Sequence, residues 1–345
     1  MFIEVQYKDI DTNKIHGSYI LIDLRSPGEF ESETIPGSVN IPIFNNEERK
    51  VVGTTYIQES IETAKKLGLD IASKKLPQIY EKVSTLDKQY DNLIFFCAKG
   101  GFRSNSISSL FRSIGINAIK LEGGYKAYRR YVNENLPILF DKAKFVVLYG
   151  NTGSGKTEIL YHLENMEIDV LNLEKCANHR GSLLGSVGLN TPNSQKMFES
   201  LVFETLSNRK SNIIFTEGES KRIGRIVMPE YMFNKIKSGT NISINTNMET
   251  RIDNILKDYL SNTNNEELIK ALSLLRRHLG DRNIDNYIEM INNKEYKTVA
   301  KELMEKYYDP MYEFKNRIYV KTFGNESSKE TAEKIMQLFI PQDRE

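Results

Sequence analysis

Residues 145–165 read FVVLYGNTGSGKTEILYHLEN, an apolar run, a glycine turn and helical text in that order. Phe145 to Tyr149 has strand length and no polar interruption, as a parallel strand buried on both faces requires. The next eight residues, Gly150-Asn-Thr-Gly-Ser-Gly155-Lys156-Thr157, satisfy G-x-x-x-x-G-K-[ST] at every fixed position. Gly150, Gly153 and Gly155 let backbone N–H groups close around a diphosphate, Lys156 adds a point charge, and the Thr157 hydroxyl is placed to hold Mg²⁺. Such a loop binds phosphates by backbone geometry, so its ligand is any diphosphate ester, nucleotide or not.

Downstream, Val170–Leu173 and Asn212–Thr216 read as further strands of the same sheet. The second runs into Glu217 and Glu219, acids that either work with a metal or end a strand in solvent. Asn178, His179, Arg180 and Gly181 follow the strand VLNL, where α/β sheets bind ligands. His179 and Arg180 are therefore candidates to meet phosphate, with a plain turn as the alternative. Residues 248–308 read as mainly helical and amphipathic, a cap on the sheet rather than a catalytic element.

Upstream, Gly17–Asp23 (GSYILID) and Asn92–Cys97 (NLIFFC) are again buried parallel strands. The second opens into Cys97-Ala-Lys-Gly-Gly-Phe-Arg103, and helical text follows to Ile114, with Gly115 as its stop. N–H groups of the turn Lys99-Gly100-Gly101 converge on the sulfur, while Arg103 and the helix N-terminus favour the thiolate. The same cradle would hold a persulfide, a perselenide or phosphate; the plain alternative is a small buried apolar cysteine. After Ala118–Leu121, residues 124–131 interleave Tyr125, Tyr128 and Tyr131 with Lys126, Arg129 and Arg130. That pattern suits stacked bases and phosphates, or a closing helix packed on the sheet. Lys221 and Arg222 are either further phosphate contacts or a solvated basic helix start.

The expected architecture is thus α/β throughout: a first domain over 1–135, a linker over 136–144 marked by Pro137, and a second domain over 145–345 that includes the helical 248–308. Charged residues are 27% of the 345 and the net charge is +1, so any nucleic-acid surface is a local patch. Two cysteines, Cys97 and Cys176, are too few for a disulfide framework and suit a reducing, cytoplasmic setting. The first residues lack the pattern of a signal peptide, and no apolar stretch is long enough to span a bilayer. His16, His162 and His278 lack metal-ligand spacing.

DLRSPGEFESETIPGSVNIP (Asp23–Pro42), taken with the cysteine loop, resembles the rhodanese family. The ring from Cys97 to Arg103 is one residue longer than in common rhodanese loops, as in the phosphatases that share the fold. It contains no Asp or Glu to protonate a leaving oxygen, which favours group transfer over phosphate hydrolysis. A rhodanese-like domain followed by a P-loop domain resembles the bacterial tRNA 2-selenouridine synthase family over nearly the whole chain. The stretches that carry this are EERKVVGTTY (47–56), CAKGGFRS, LEGGYKAYRR (121–130), GNTGSGKT, ANHRGSLLGSVG (177–188), SQKMFES, EGESKRIGRIVMP (217–229) and YYDPMY (307–312). Ala98 and Thr34 stand where that family often has an aromatic residue and a histidine.

The resemblance implies replacement of sulfur by selenium in 2-thiouridine at the wobble position of tRNA, with selenophosphate as donor and a preceding geranylation by geranyl diphosphate. It implies selenium at Cys97 and Arg103, geranyl diphosphate at the P-loop, and tRNA at Tyr125, Lys126, Arg129, Arg130, Lys221 and Arg222. Two other functions fit the residues alone: a persulfide sulfurtransferase fused to an NTPase or kinase, and a nucleotide-gated tRNA-binding module.

Overall fold

A computed structural model describes residues 3–182, 185–260, 264–311 and 317–340. Leu183, Leu184 and Tyr312, which belong to two of the stretches above, lie outside it. The chain divides into two compact units, 1–136 with 199–207, and 137–198 with 208–345.

The first unit is built on five parallel strands: β1 (Glu4–Val5), β2 (Tyr19–Asp23), β3 (Val39–Asn40), β4 (Asn92–Phe96) and β5 (Ala118–Leu121). Their order is β1-β5-β4-β2-β3. Central β4 is buried at every residue, which is why NLIFF carries no alternation. Phe95, Ile22, Leu24, Val83 and Phe111 form the core on one face. Between β3 and β4 stand helices Asn46–Gln58 and Ile61–Asp87; Asn45 with Glu48 makes a capping box at the first, and the Ser60 hydroxyl accepts from the Thr63 N–H at the second.

The second unit carries β6 (Lys144–Tyr149), β7 (Val170–Leu171), β8 (Ile213–Glu217), a small antiparallel pair β9 (Arg222–Ile223) and β10 (Ile226–Val227), then β11 (Thr240–Asn245) and β12 (Lys321–Gly324). The main sheet is parallel in the order β12-β11-β6-β8-β7, so the strand feeding the P-loop is central. Residues 136–144, expected as a linker, are regular structure, and the division between the units falls after Leu136. One helix runs Gly124–Lys142 through Pro137, and β6 begins at Lys144. Val132, Leu136 and Phe140, spaced by four and all buried, give that helix a continuous apolar stripe past the proline.

The described residues of 248–308 are mainly helical as expected, and they hold more than a cap. Leu272, Leu275, Ile284, Tyr287, Ile291 and Leu303 build an apolar core of their own. No helix among the described residues is long and apolar enough to cross a membrane.

Candidate active site: a thiolate loop and a phosphate loop

Cys97 follows β4 directly and is 3% exposed. Its Sγ lies 3.3 Å from the Ser104 hydroxyl, in the first turn of the helix Phe102–Ser113. Burial opposes ionisation of the thiol. The Ser104 hydroxyl, the Arg103 charge and the backbone N–H groups of Ser104 and Lys99 outweigh it and hold the thiol below its ordinary range. Gly100 has φ +62°, and a Cβ there would meet the Gly123 nitrogen at 2.8 Å; a Cβ at Gly124 would meet the Cys97 carbonyl oxygen at 2.2 Å. Both positions therefore need glycine. The N–H groups of Tyr125 and Lys126 donate to the carbonyls of Cys97 and Ala98, at 2.9 and 3.0 Å, and tie the loop to the next helix.

Lys99 and Gly101 are exposed beside the sulfur, and Arg103 is half-buried with its guanidinium 3.5 Å from Glu29. Beneath the loop Arg25 is buried and bidentate to Asp23, with its shortest contact 2.7 Å, and stacks over Tyr125 at 4.0 Å. Thr34, where the resembling family often has histidine, donates to Asp23 at 2.9 Å and works as part of this brace.

The P-loop joins β6 to the helix Lys156–Asn165. Three successive loop carbonyls are drawn outward. Arg251 Nε donates to Thr152, Asn254 Nδ2 to Gly153, and Thr246 and Asn325 to Ser154, each at 2.9 Å. A peptide's N–H points away from its carbonyl, so the anchors on Thr152 and Ser154 turn the N–H groups of Gly153 and Gly155 inward, while the Ser154 N–H donates to the Asn151 carbonyl at 3.1 Å and closes the turn. Gly153 and Gly155 sit at φ +76° and +85°, and a Cβ at Gly150 would meet the Ile244 carbonyl at 2.6 Å. Lys156 Nζ donates to the carbonyls of Gly150 (2.8 Å) and Asn151 (3.4 Å), which fixes the ammonium over the loop. Arg251 is itself held by a bidentate pair with Asp309, at 2.9 and 2.6 Å. Asp309 belongs to YYDPMY, so that stretch braces the phosphate loop from the helical segment.

Above the loop opens a cavity of about 330 Å³ whose walls include Lys156, Thr157, Arg180 and three carboxylates, Glu174, Glu217 and Glu219. Thr157 Oγ1 donates to Glu174 at 3.2 Å, and the Glu174 N–H donates to Glu217 Oε1 at 2.8 Å. Glu217 is 3% exposed, and its Oε2 has no partner among the described residues. Burial, and then the neighbouring Glu174 charge, push the Glu217 carboxyl up to about 8. Glu219 and Glu174 are raised as well, burial first, with Lys156 opposing. No three His, Cys, Asp or Glu among the described residues are arranged to hold a metal unaided. Mg²⁺ asks less of a protein, because one carboxylate, a hydroxyl and substrate phosphates suffice. The Thr157–Glu174 spacing matches neighbouring corners of an octahedron, about 3 Å apart, so the donor set fits that ion.

Of the other expected residues, Arg180 lines this cavity, donating to the carbonyls of Val187 (2.7 Å) and Asp258 (2.9 Å). His179 does not line it. Its ring is buried against Gly185 and Gly224, where any Cβ would come within 3 Å, and burial lowers its pKa. Tyr125 and Arg129 are also buried. Arg129 pairs with Glu199 and donates to Ser200 at 2.9 Å, so neither residue offers a surface to RNA, whereas Lys126, Arg130, Lys221 and Arg222 are exposed. Cys176 is buried in the short helix Leu173–Ala177. Glu174 and Asn254 line the phosphate cavity, and Arg251, Thr246 and Asn325 brace its loop, although no local motif marks any of them.

A family model described as the tRNA 2-selenouridine synthase AAA domain matches residues 143–340, and the rhodanese-like domain model matches residues 4–131. The chain belongs to the tRNA 2-selenouridine synthase family. A tRNA 2-selenouridine synthase of Nitrosomonas europaea is 34% identical over 247 residues, 70% of this chain and 64% of that one. That of Nitrosomonas eutropha is 35% identical over 245 residues, 70% and 63%. The chain thus spans just under two thirds of the length of these two relatives. A third, from Sulfurovum sp. NBC37-1, is 29% identical over 324 residues, covering 85% of this chain and 88% of its own.

Proposed function

We propose that this protein is a tRNA 2-selenouridine synthase that geranylates 2-thiouridine at the wobble position and then exchanges the sulfur for selenium. The observation that carries the reading is one chain of this family holding both an ionisable thiol in an anion cradle and a phosphate loop with inward N–H groups. In the first step the thiocarbonyl sulfur bonds to carbon 1 of geranyl diphosphate, the carbon–oxygen bond breaks, and pyrophosphate leaves with the electron pair. Lys156 and the inward N–H groups of the loop stabilise that departing charge. Mg²⁺, held by Thr157 and Glu174, would supply further positive charge at the same oxygens.

In the second step the selenium of selenophosphate adds at carbon 2, the S-geranyl group leaves as a thiol with a proton, and water takes the phosphoryl group from selenium as phosphate. Alkylation matters because a bare thiocarbonyl sulfur is a poor leaving group, and two easier steps replace one hard one. Cys97 positions the selenium of selenophosphate, with Arg103, Lys99, Gly100 and Gly101 around the tetrahedral anion. Lys126, Arg130, Lys221 and Arg222 are the exposed cations we assign to tRNA phosphates.

The test is mass spectrometry of nucleosides after incubating the protein with 2-thiouridine tRNA, geranyl diphosphate and selenophosphate. Wild type yields geranylated and then selenated nucleoside, Cys97→Ala stops at the geranylated form, and Lys156→Ala leaves 2-thiouridine untouched. Unchanged tRNA with wild type, alongside thiosulfate turnover and phosphate release from ATP, would replace this reading by a sulfurtransferase fused to an NTPase.

A further inference from the structure

The helical segment lines a second, half-open cavity whose walls are almost wholly apolar, with Ile255, Leu268, Leu272, Val299, Ala300 and Leu303 among them. It adjoins the phosphate cavity, sharing Thr152 of the P-loop, Ile255 and Tyr259 as common walls. The P-loop itself fits closely here, since a Cβ at Gly153 would lie 3.1 Å from Ile255 Cγ1 and 3.2 Å from Met304 Cε. Two of the tyrosines around the cavity turn their hydroxyls elsewhere. Tyr259 is hydrogen-bonded to Ser182 at 3.0 Å, and Tyr296 donates to Asn265 at 2.8 Å. A nucleobase in this space would trade hydrogen bonds to water for hydrocarbon walls, at a cost of kilocalories, whereas a hydrocarbon chain gains free energy with every methylene it buries.

We infer that this cavity is the subsite for the hydrocarbon tail of the P-loop's diphosphate ligand, with Ile255 and Tyr259 at the junction and Ala300 inside. The inference rests on the reading of that ligand as a diphosphate ester of a hydrocarbon, and it adds which residues recognise the chain. Its volume is about 70 Å³. That is roughly half the volume of a cavity that takes up benzene, so it holds about three carbons, the branched end of a chain. The carbons nearer the diphosphate lie along Ile255 and Tyr259, and the wall residues measure chain length.

Calorimetric titration of the full chain with geranyl diphosphate, and separately with inorganic pyrophosphate, tests this. Wild type is expected to bind geranyl diphosphate at least about tenfold tighter than pyrophosphate, the margin being the tail's share. Ala300→Phe fills the cavity and is expected to abolish the margin while pyrophosphate binding stays within about twofold, which also shows that the variant is folded. Leu268→Ala enlarges the cavity and is expected to move preference towards farnesyl diphosphate by about fivefold. Equal binding of the two ligands by wild type overturns the inference, as does a margin that survives Ala300→Phe. Should Ala300→Phe lose pyrophosphate too, the Leu268→Ala selectivity decides alone, and an unchanged preference overturns the subsite. A wild type that binds ATP and ignores geranyl diphosphate overturns the functional reading as well, an outcome distinct from a tail bound elsewhere.

Discussion

Burial by itself would keep Cys97 protonated, and the hydroxyl of Ser104 is the first of the groups that reverse the balance. Ser104→Ala is therefore expected to raise the thiol pKa and slow alkylation of Cys97 by iodoacetamide near neutral pH by about threefold or more. The measurement belongs in a Cys176→Ser background, and an unchanged pH–rate profile would mean that Arg103 and the backbone N–H groups suffice. Glu217 carries the opposite perturbation. Folded, it keeps its proton up to about 8, whereas unfolded it titrates in the ordinary carboxylate range. Between those values the native state binds more protons than the unfolded chain, so Glu217's contribution is complete below the ordinary range and is lost as pH rises towards about 8. Melting curves at pH 5 and pH 8.5 should show a larger drop in Tm for wild type than for Glu217→Gln; equal drops would remove Glu217 as the cause.

At the scale of elements, the phosphate loop is shaped by the helix Met248–Leu260 and by Asp309, as much as by its own glycines. Asp309→Ala leaves Arg251 buried without its partner, which is expected to lower stability by about 3 kcal/mol. It should also weaken pyrophosphate binding by about tenfold as the Thr152 carbonyl loses its anchor. Arg251→Lys, a single point charge in place of a fork, should show both losses in the same direction. Pyrophosphate affinity unchanged in Asp309→Ala would show that the loop holds its shape unaided.

The same brace shows what a sequence discloses. The P-loop and the cysteine turn were legible because their glycines, Lys156, Thr157 and Arg103 act within a few residues of one another at spacings that geometry dictates. Arg251 and Asp309 are 58 residues apart, and no local pattern pairs them. Glu174 escaped because VLNLEKCA reads as the end of a strand, whereas Asn172 caps a short helix that turns the acid back towards Thr157. Residue type alone left Tyr125 and Arg129 open to two readings, a closing helix and RNA contact. The signal against RNA contact was present, since Tyr125, Tyr128, Val132, Leu136 and Phe140 fall at intervals of three and four, the stripe of a buried helix face.

For the molecule as a whole, the order of residues along the chain is not the order of the cores. The helix Gln195–Ser207 begins in the second unit, yet its residues 199–207 belong to the first. Within the first unit Phe203 packs on Tyr7 at 6.4 Å and edge-on to Tyr131 at 5.9 Å, while Glu199 and Ser200 satisfy the buried guanidinium of Arg129. A fragment ending at residue 136 would lack all of these partners. It would expose the Tyr7–Tyr128–Tyr131 face and take Glu199 and Ser200 away from the buried Arg129 guanidinium, together costing about 3 kcal/mol or more. Urea unfolding of residues 1–136 should accordingly show a lower midpoint than the first unit has in the full chain, followed through Cys97 accessibility. A peptide of residues 195–207 added in excess should raise that midpoint, and a Glu199→Ala, Phe203→Ala peptide should not. Equal midpoints with and without the peptide would mean that the rhodanese-like unit is complete at residue 136, and that residues 199–207 only rest on it.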